Sequence, residues 1–204
     1  MDYPAFFDQA PAITMHDGLA ELLGACSDGL ITYRYIDAVR LAGHSCPTVA
    51  AAYLMARRAL RILYPDQIPE RGMLQVSLAA AREEGVTGVT ASVIGLITGA
   101  AGAGGFKGIG GNFRRQDLLR FGAAEVGSGE LRVERSDTGA GVTLQARLAR
   151  VPPDPRTGAL LQAILAGQAT PEQAAQFAVL WQERVRKILV EHADDPELIV
   201  SSLQ

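Results

Sequence analysis

Cysteine, histidine and tryptophan are scarce in this chain: two, three and one among 204 residues. Two cysteines cannot make a disulfide framework, and in a reducing compartment they are expected as free or metal-bound thiols, a Cys26–Cys46 bridge being the one alternative. Positive charge is not in excess either. A formal net charge of -3 argues against nucleic acid as the main partner, because phosphate binding rests on clustered Lys and Arg. The short basic runs Arg57-Arg58, Arg114-Arg115 and Arg184-Val185-Arg186-Lys187 read as solvated faces. Long apolar runs are missing too: residues 86–103 are interrupted by glycines and threonines, so no membrane span is expected. Met1-Asp2-Tyr3-Pro4 has no basic n-region or apolar core, so no signal peptide is expected and the location implied is cytoplasmic.

What is present is a chain 48% hydrophobic, enough to bury a sizeable core. Val49, Tyr53, Ala56, Leu60 and Leu63 recur at steps of four and three, which predicts a helix buried along one face and stopped by Pro65. Residues 88–98 read as a second buried helix, in which Gly95 allows a close contact. Residues 73–78, 118–121, 130–135 and 142–147 read as strands, the last two joined across a turn. Thr14 with Asp17 three residues on is a capping signal for a first helix over residues 15–24. The segment 30–35 reads as a short strand or bend leading into a helical turn. Residues 1–12, with Phe6 and Phe7, read as an arm that packs on this domain or on a partner.

Val151-Pro152-Pro153-Asp154-Pro155 is a linker, since prolines this dense block both helix and ladder. It divides the chain into an α+β domain, residues 1–150, and a C-terminal extension, residues 151–204. The expected architecture is a mainly antiparallel sheet packed by two long helices, with a C-terminal helical appendage. That appendage holds helices over residues 158–165 and 171–192, the second opened by Thr170, Pro171 and Gln173 in capping-box order. Its stripe of Phe177, Leu180, Trp181, Val185, Ile188 and Leu189 suits a core or a dimer contact, and a homodimer is expected.

The chemistry-bearing stretch is Gly43-His44-Ser45-Cys46-Pro47-Thr48. Pro47 sits where a first helical residue belongs, so Cys46 is the expected N-cap, and the helix dipole favours its thiolate. His44, two residues earlier, can turn its ring to the same point. Two ligand-type residues do not complete a closed zinc site, which needs about four. His16 is a further candidate: either an ordinary surface or core histidine, or a third ligand or proton partner for His44. Cys26 is another possible ligand, and Asp37 is a candidate acceptor for the second ring nitrogen of a metal-bound His44.

Gly43-His44-Ser45-Cys46-Pro47, the alanine-rich helix with Tyr53-Leu54-Met55, and Thr98-Gly99 before a glycine-rich run resemble the FmdE-like family of formylmethanofuran dehydrogenase proteins. The resemblance covers roughly residues 15–122. It implies an α+β domain that binds a metal, zinc above all, through the His-x-Cys pair, and that pairs as a dimer. Where family members carry two further cysteines and an aspartate around the Thr-Gly step, this chain has Val89, Ser92 and Ala100. The departure favours a ligand that needs fewer protein donors than closed tetrahedral zinc.

The glycine-rich run, residues 100–113, has no G-x-G-x-x-G register, and Lys107 is not followed by Ser or Thr, so it is not a phosphate loop. Two readings stay open: a flexible hairpin crossover, or a glycine wall that admits a flat ligand. The resemblance favours the second, with Gly104, Gly105, Lys107 and Gly108 against the ligand. The function expected is metal binding, by zinc or another transition metal, or haem binding, through His44, Cys46 and His16. The alternative is an oxidoreductase-like enzyme in which Cys46 is an activated thiolate and His44 its proton partner, or in which a bound metal activates water.

Overall fold

A helical stretch buried on every side belongs in the middle of a protein, and the chain is built around one, residues 49–56. In the computed structural model, which describes residues 3–127 and 129–203, α3 (Pro47–Leu63) opens with Pro47 in the first turn and Cys46 as N-cap. Its residues Val49, Ala50, Ala52 and Tyr53 are inaccessible to solvent, and Ala56, Leu60 and Leu63 are buried with them. The alanines let neighbours approach from several directions. On one side lie α4 (Thr87–Thr98) and α2 (Tyr35–Ala42); on another lie strands of the main sheet.

That sheet has five strands: β3 (Leu74–Leu78), β4 (Leu119–Arg120), β5 (Leu131–Arg135), β6 (Gly141–Ala146) and β7 (Ile199–Leu203), in the order β4-β3-β5-β6-β7. All pairs are antiparallel except β3 with β4. Val76, Val133 and Val142 stand in one register row, and all three are buried. The fold is α+β, as the alternating strands and the two helical periods predict.

The first helix begins later than the Thr14 capping signal suggests. Ile13–His16 is a strand, β1, paired antiparallel with β2 (Leu30–Tyr33). Ile13 and Met15 turn inward, while the hydroxyls of Thr14 and Thr32 meet across the pair at 2.9 Å. Asp17 is the true cap of a short α1 (Gly18–Leu22), accepting from the Leu19 and Ala20 amides. The amino-terminal arm packs on this same domain, the Phe7 ring edge-on to Tyr35 at 5.0 Å and Tyr35 edge-on to Tyr53 at 5.8 Å.

Beyond the proline run come α5 (Arg156–Leu165) and α6 (Pro171–Arg186), the latter with the Thr170–Gln173 capping box, and then a π turn over Lys187–Glu191. The chain next returns to the sheet as β7, which sequence reading leaves without an element. Val185, Ile188, Leu189, Leu198 and Ile199 join the single hydrophobic core. Of the stripe read as a core or dimer contact, Val185, Ile188 and Leu189 are buried in the chain's own core, and Trp181 packs half-buried against it. No helix among the described residues is long and apolar enough to cross a membrane.

Candidate functional site

The loop between α2 and α3 is set by its two ends. Gly43 ends α2 in the left-handed conformation, φ 74°, with its N–H on the Val39 carbonyl; glycine takes that conformation without steric cost. At the other end, Cys46 Sγ accepts from the Val49 amide at 3.5 Å. Between them the His44 imidazole is exposed to solvent. Its Nδ1–H donates to the Ala42 carbonyl at 2.9 Å, which leaves Nε2 as the nitrogen that carries the lone pair of the neutral ring. Imidazoles that ligate metals are commonly oriented by such a backbone contact.

His44 lines a hollow of about 220 Å³ with Leu41, Ala42, Gly88, Val89 and Ser92. Three of these residues, Leu41, Gly88 and Ser92, also line a larger groove of about 740 Å³, so the two open side by side along α4. The groove exists because small residues recur on one face of α4: Gly88, Ala91, Ser92 and Gly95. Ala100 to Gly105 form its opposite wall, and Leu119, Phe121, Arg82 and Glu83 complete the lining. A side chain at Gly95 would press on the Ala100 carbonyl oxygen at 2.9 Å, so the return of the chain against α4 depends on glycine there.

The glycine run divides into a part that lines the groove and a part that forms a hairpin. Gly104 and Gly105 are wall residues of the groove. Gly108 belongs instead to a tight hairpin in which Ile109 and Asn112 exchange backbone hydrogen bonds, and Lys107 is exposed at its start. Past the hairpin, Phe113 and Asp117 hold φ values of 61°. They bracket Arg115, which turns inward and is buried.

The structure does not bring the expected metal ligands together. Cys46 packs half-buried against the core and serves as the helix cap, while His44 faces the hollow. His16 lies at the end of β1, where Nδ1 is 2.6 Å from Glu70 and Nε2 is 3.1 Å from Glu21. Both ring nitrogens are engaged there, in directions that do not converge on one ion. Cys26 is a free, half-buried thiol in the turn after α1, and the Cys26–Cys46 bridge is not formed. Asp37 does not serve His44. Its carboxylate accepts from the Arg34 amide at 2.8 Å, closing the cap of α2. Among the described residues, no group of three His, Cys, Asp or Glu side chains is placed to hold a metal ion.

Two sets of residues around this region have no counterpart in the sequence reading. One is the ion cluster of Asp17, Arg71 and Arg115: Asp17 takes Arg71 at 2.8 Å and Arg115 at 2.7 Å, and Arg71 also caps α4 through the Leu96 and Ile97 carbonyls. The other is a set of hydrogen bonds on Ser45, supplied by Tyr35, Trp181 and Gln182. Neither has a local signature, because the partners are separated by up to 137 positions. The small-residue spacing 88, 91, 92, 95 was the one signal in the sequence that could have located the groove. Compared with models of protein families and with curated proteins, the chain matches none.

Proposed function

We propose that the chain is a ligand-binding protein of FmdE-like type that takes a flat, metal-bearing macrocycle, haem in the first instance, with His44 as its protein ligand. The observation that carries the reading is the His44 ring itself: exposed, anchored through Nδ1 to Ala42 so that Nε2 keeps its lone pair, with a groove of about 740 Å³ adjoining its hollow. That volume falls in the range of about 300–1,000 Å³ usual for cofactor and drug-sized sites. Its walls are mostly small and apolar, which suits a planar hydrophobic body.

The donor set favours haem over zinc. Closed zinc needs about four converging ligands, and here Cys46 is held as a cap while His16 is held by Glu70 and Glu21. Haem needs a single axial imidazole from this chain, and the groove residues Gly104, Gly105, Ser92 and Phe121 would bound the ring. Bound haem would supply an iron centre whose potential is tuned by axial ligand and burial. The enzyme alternative draws less support, since the Cys46 Sγ is turned onto the Val49 amide as the cap of α3.

The test is a hemin titration of the purified full chain. A Soret band that saturates at about one haem per chain, and that shifts or disappears in His44→Ala, is the expected result. Cys46→Ser should leave the band in place and keep α3 capped, since serine is itself a preferred N-cap. Stoichiometric zinc in the colourless protein, released by Cys46→Ser, would favour the closed metal site instead. Identical hemin behaviour of parent and His44→Ala would end the reading.

A further inference from the structure

The loop that carries His44 is four residues long, Gly43 to Cys46, and has no ladder or helix of its own to hold it. Four hydrogen bonds nevertheless converge on Ser45. The Ser45 carbonyl accepts from Trp181 Nε1 at 3.0 Å and from Gln182 Nε2 at 3.2 Å. The Ser45 hydroxyl donates to Gln182 Oε1 at 3.0 Å. Because that hydroxyl has spent its proton, the contact with the Tyr35 hydroxyl at 3.0 Å is one in which Tyr35 donates. Burial holds Tyr35 in its neutral, donating form: its ring is inaccessible and its pKa is pushed well above the ordinary tyrosine value.

Ser45 and Gln182 thus form a closed ring of two hydrogen bonds, one to the backbone and one to the side chain. A single contact would let the peptide rock. A ring with an added indole donor fixes both the position and the rotation of the 45 carbonyl. His44 and Cys46 are the residues on either side of Ser45. The donors come from α6, far along the chain, and from α2, whose end carries the Ala42 carbonyl that orients the imidazole.

We infer that Trp181 and Gln182, with Tyr35 behind them, are positioning residues for His44: the carboxy-terminal helix sets where the ligand-bearing imidazole stands over its hollow. The inference rests on the reading of His44 as a ligand, and it assigns the segment after the proline run a direct part in the site. Trp181 is the chain's only tryptophan, so its emission reports on this contact alone.

The experiment compares the full-length parent, His44→Ala, the pair Trp181→Phe/Gln182→Met, and the three substitutions together. The paired substitutions keep bulk and remove the polar atoms, and far-UV circular dichroism checks that α6 stays folded. Without ligand, amide hydrogen exchange at Gly43, Val49 and Ala50, whose N–H groups are hydrogen-bonded at the two ends of the loop, should quicken about tenfold or more, as expected for two neutral hydrogen bonds lost together. With hemin as probe, the pair should weaken binding about tenfold and move the Soret maximum toward that of His44→Ala. In the His44→Ala background the same pair should change hemin binding little, because what it positions is gone. An equal loss in both backgrounds, or unchanged exchange at Gly43, Val49 and Ala50, overturns the inference. If His44→Ala binds hemin like the parent, the haem reading falls by itself, and the exchange measurement still decides whether α6 fixes the loop.

Discussion

His16 shows how one side chain can look like a ligand in sequence and be a clasp in the fold. Its two nitrogens face Glu70 and Glu21, and a neutral ring has only one N–H, so both contacts are hydrogen bonds only in the imidazolium form. The hydrogen bond to Glu70 does most to raise its pKa above the ordinary value; Glu21 adds to this, and partial burial opposes it. The folded value therefore lies above the unfolded one of about 6.5. Stabilisation is complete below about pH 6.5 and is lost as pH rises through the folded value. The side chain is 31% exposed, so screening keeps the effect under about 1 kcal/mol. Urea unfolding of parent and His16→Gln should show a gap that narrows as pH is raised past neutrality and that shrinks in high salt. A gap constant from acid to alkaline pH would mean the ring is held neutral. At this scale the sequence was legible where the signal was local: Pro47 and Cys46 start α3 as their order predicts. It was illegible for Asp37, whose partner three residues back is a cap and not an imidazole.

At the scale of elements, the periodic helices and the strands from residue 73 to 147 were readable because each carries its own pattern of burial. β1 was not, since four residues of alternation, two of them inward, also satisfy the start of a helix. β7 was not because a five-residue strand at a sheet edge, with Ser201 and Ser202 in it, gives almost no periodic signal. What fastens β1, α1, α4 and the hairpin after the glycine run to one another is Asp17, which is 3% exposed. It caps α1 while pairing with Arg71 and Arg115. Burial pushes its carboxyl up, but the hydrogen bond from Arg71 and the charge of Arg115 outweigh that, and its pKa lies below the ordinary value. Its stabilisation is present above the unfolded value of about 3.9 and is lost as pH falls through the folded one. Asp17→Asn leaves two guanidinium groups without their counter-charge, one of them buried, and is expected to cost about 3–5 kcal/mol in urea unfolding at neutral pH. A loss under about 1 kcal/mol would be that of an exposed ion pair, and would show that the cluster is solvated.

For the whole molecule, the question is whether residues 151–204 are an extension or part of the same cooperative unit. The proline run does interrupt regular structure, but the chain after it contributes both a sheet edge and core. β7 pairs with β6 along its whole length, Ala146 with Ile199 to Val142 with Leu203. Leu198 and Ile199 are 0% and 2% exposed. Arg184 further ties α6 back to the junction of the two segments through the carbonyls of Val151 and Leu148. Burying two such side chains is worth about 1.5–3 kcal/mol each, before the ladder bonds of β6 are counted. A chain ending at Asp195 loses that burial and leaves the inner strand β6 as an open edge. Its melting temperature is expected to fall by roughly 10 °C or more, at about 2–4 °C per kcal/mol for a chain of this size. The remaining transition should stay single, because the core that β7 completes is the one that surrounds α3. A truncated chain that melts with the parent, or a parent that unfolds in two separate steps with the first confined to residues 151–204, would make the carboxy-terminal segment an independent extension.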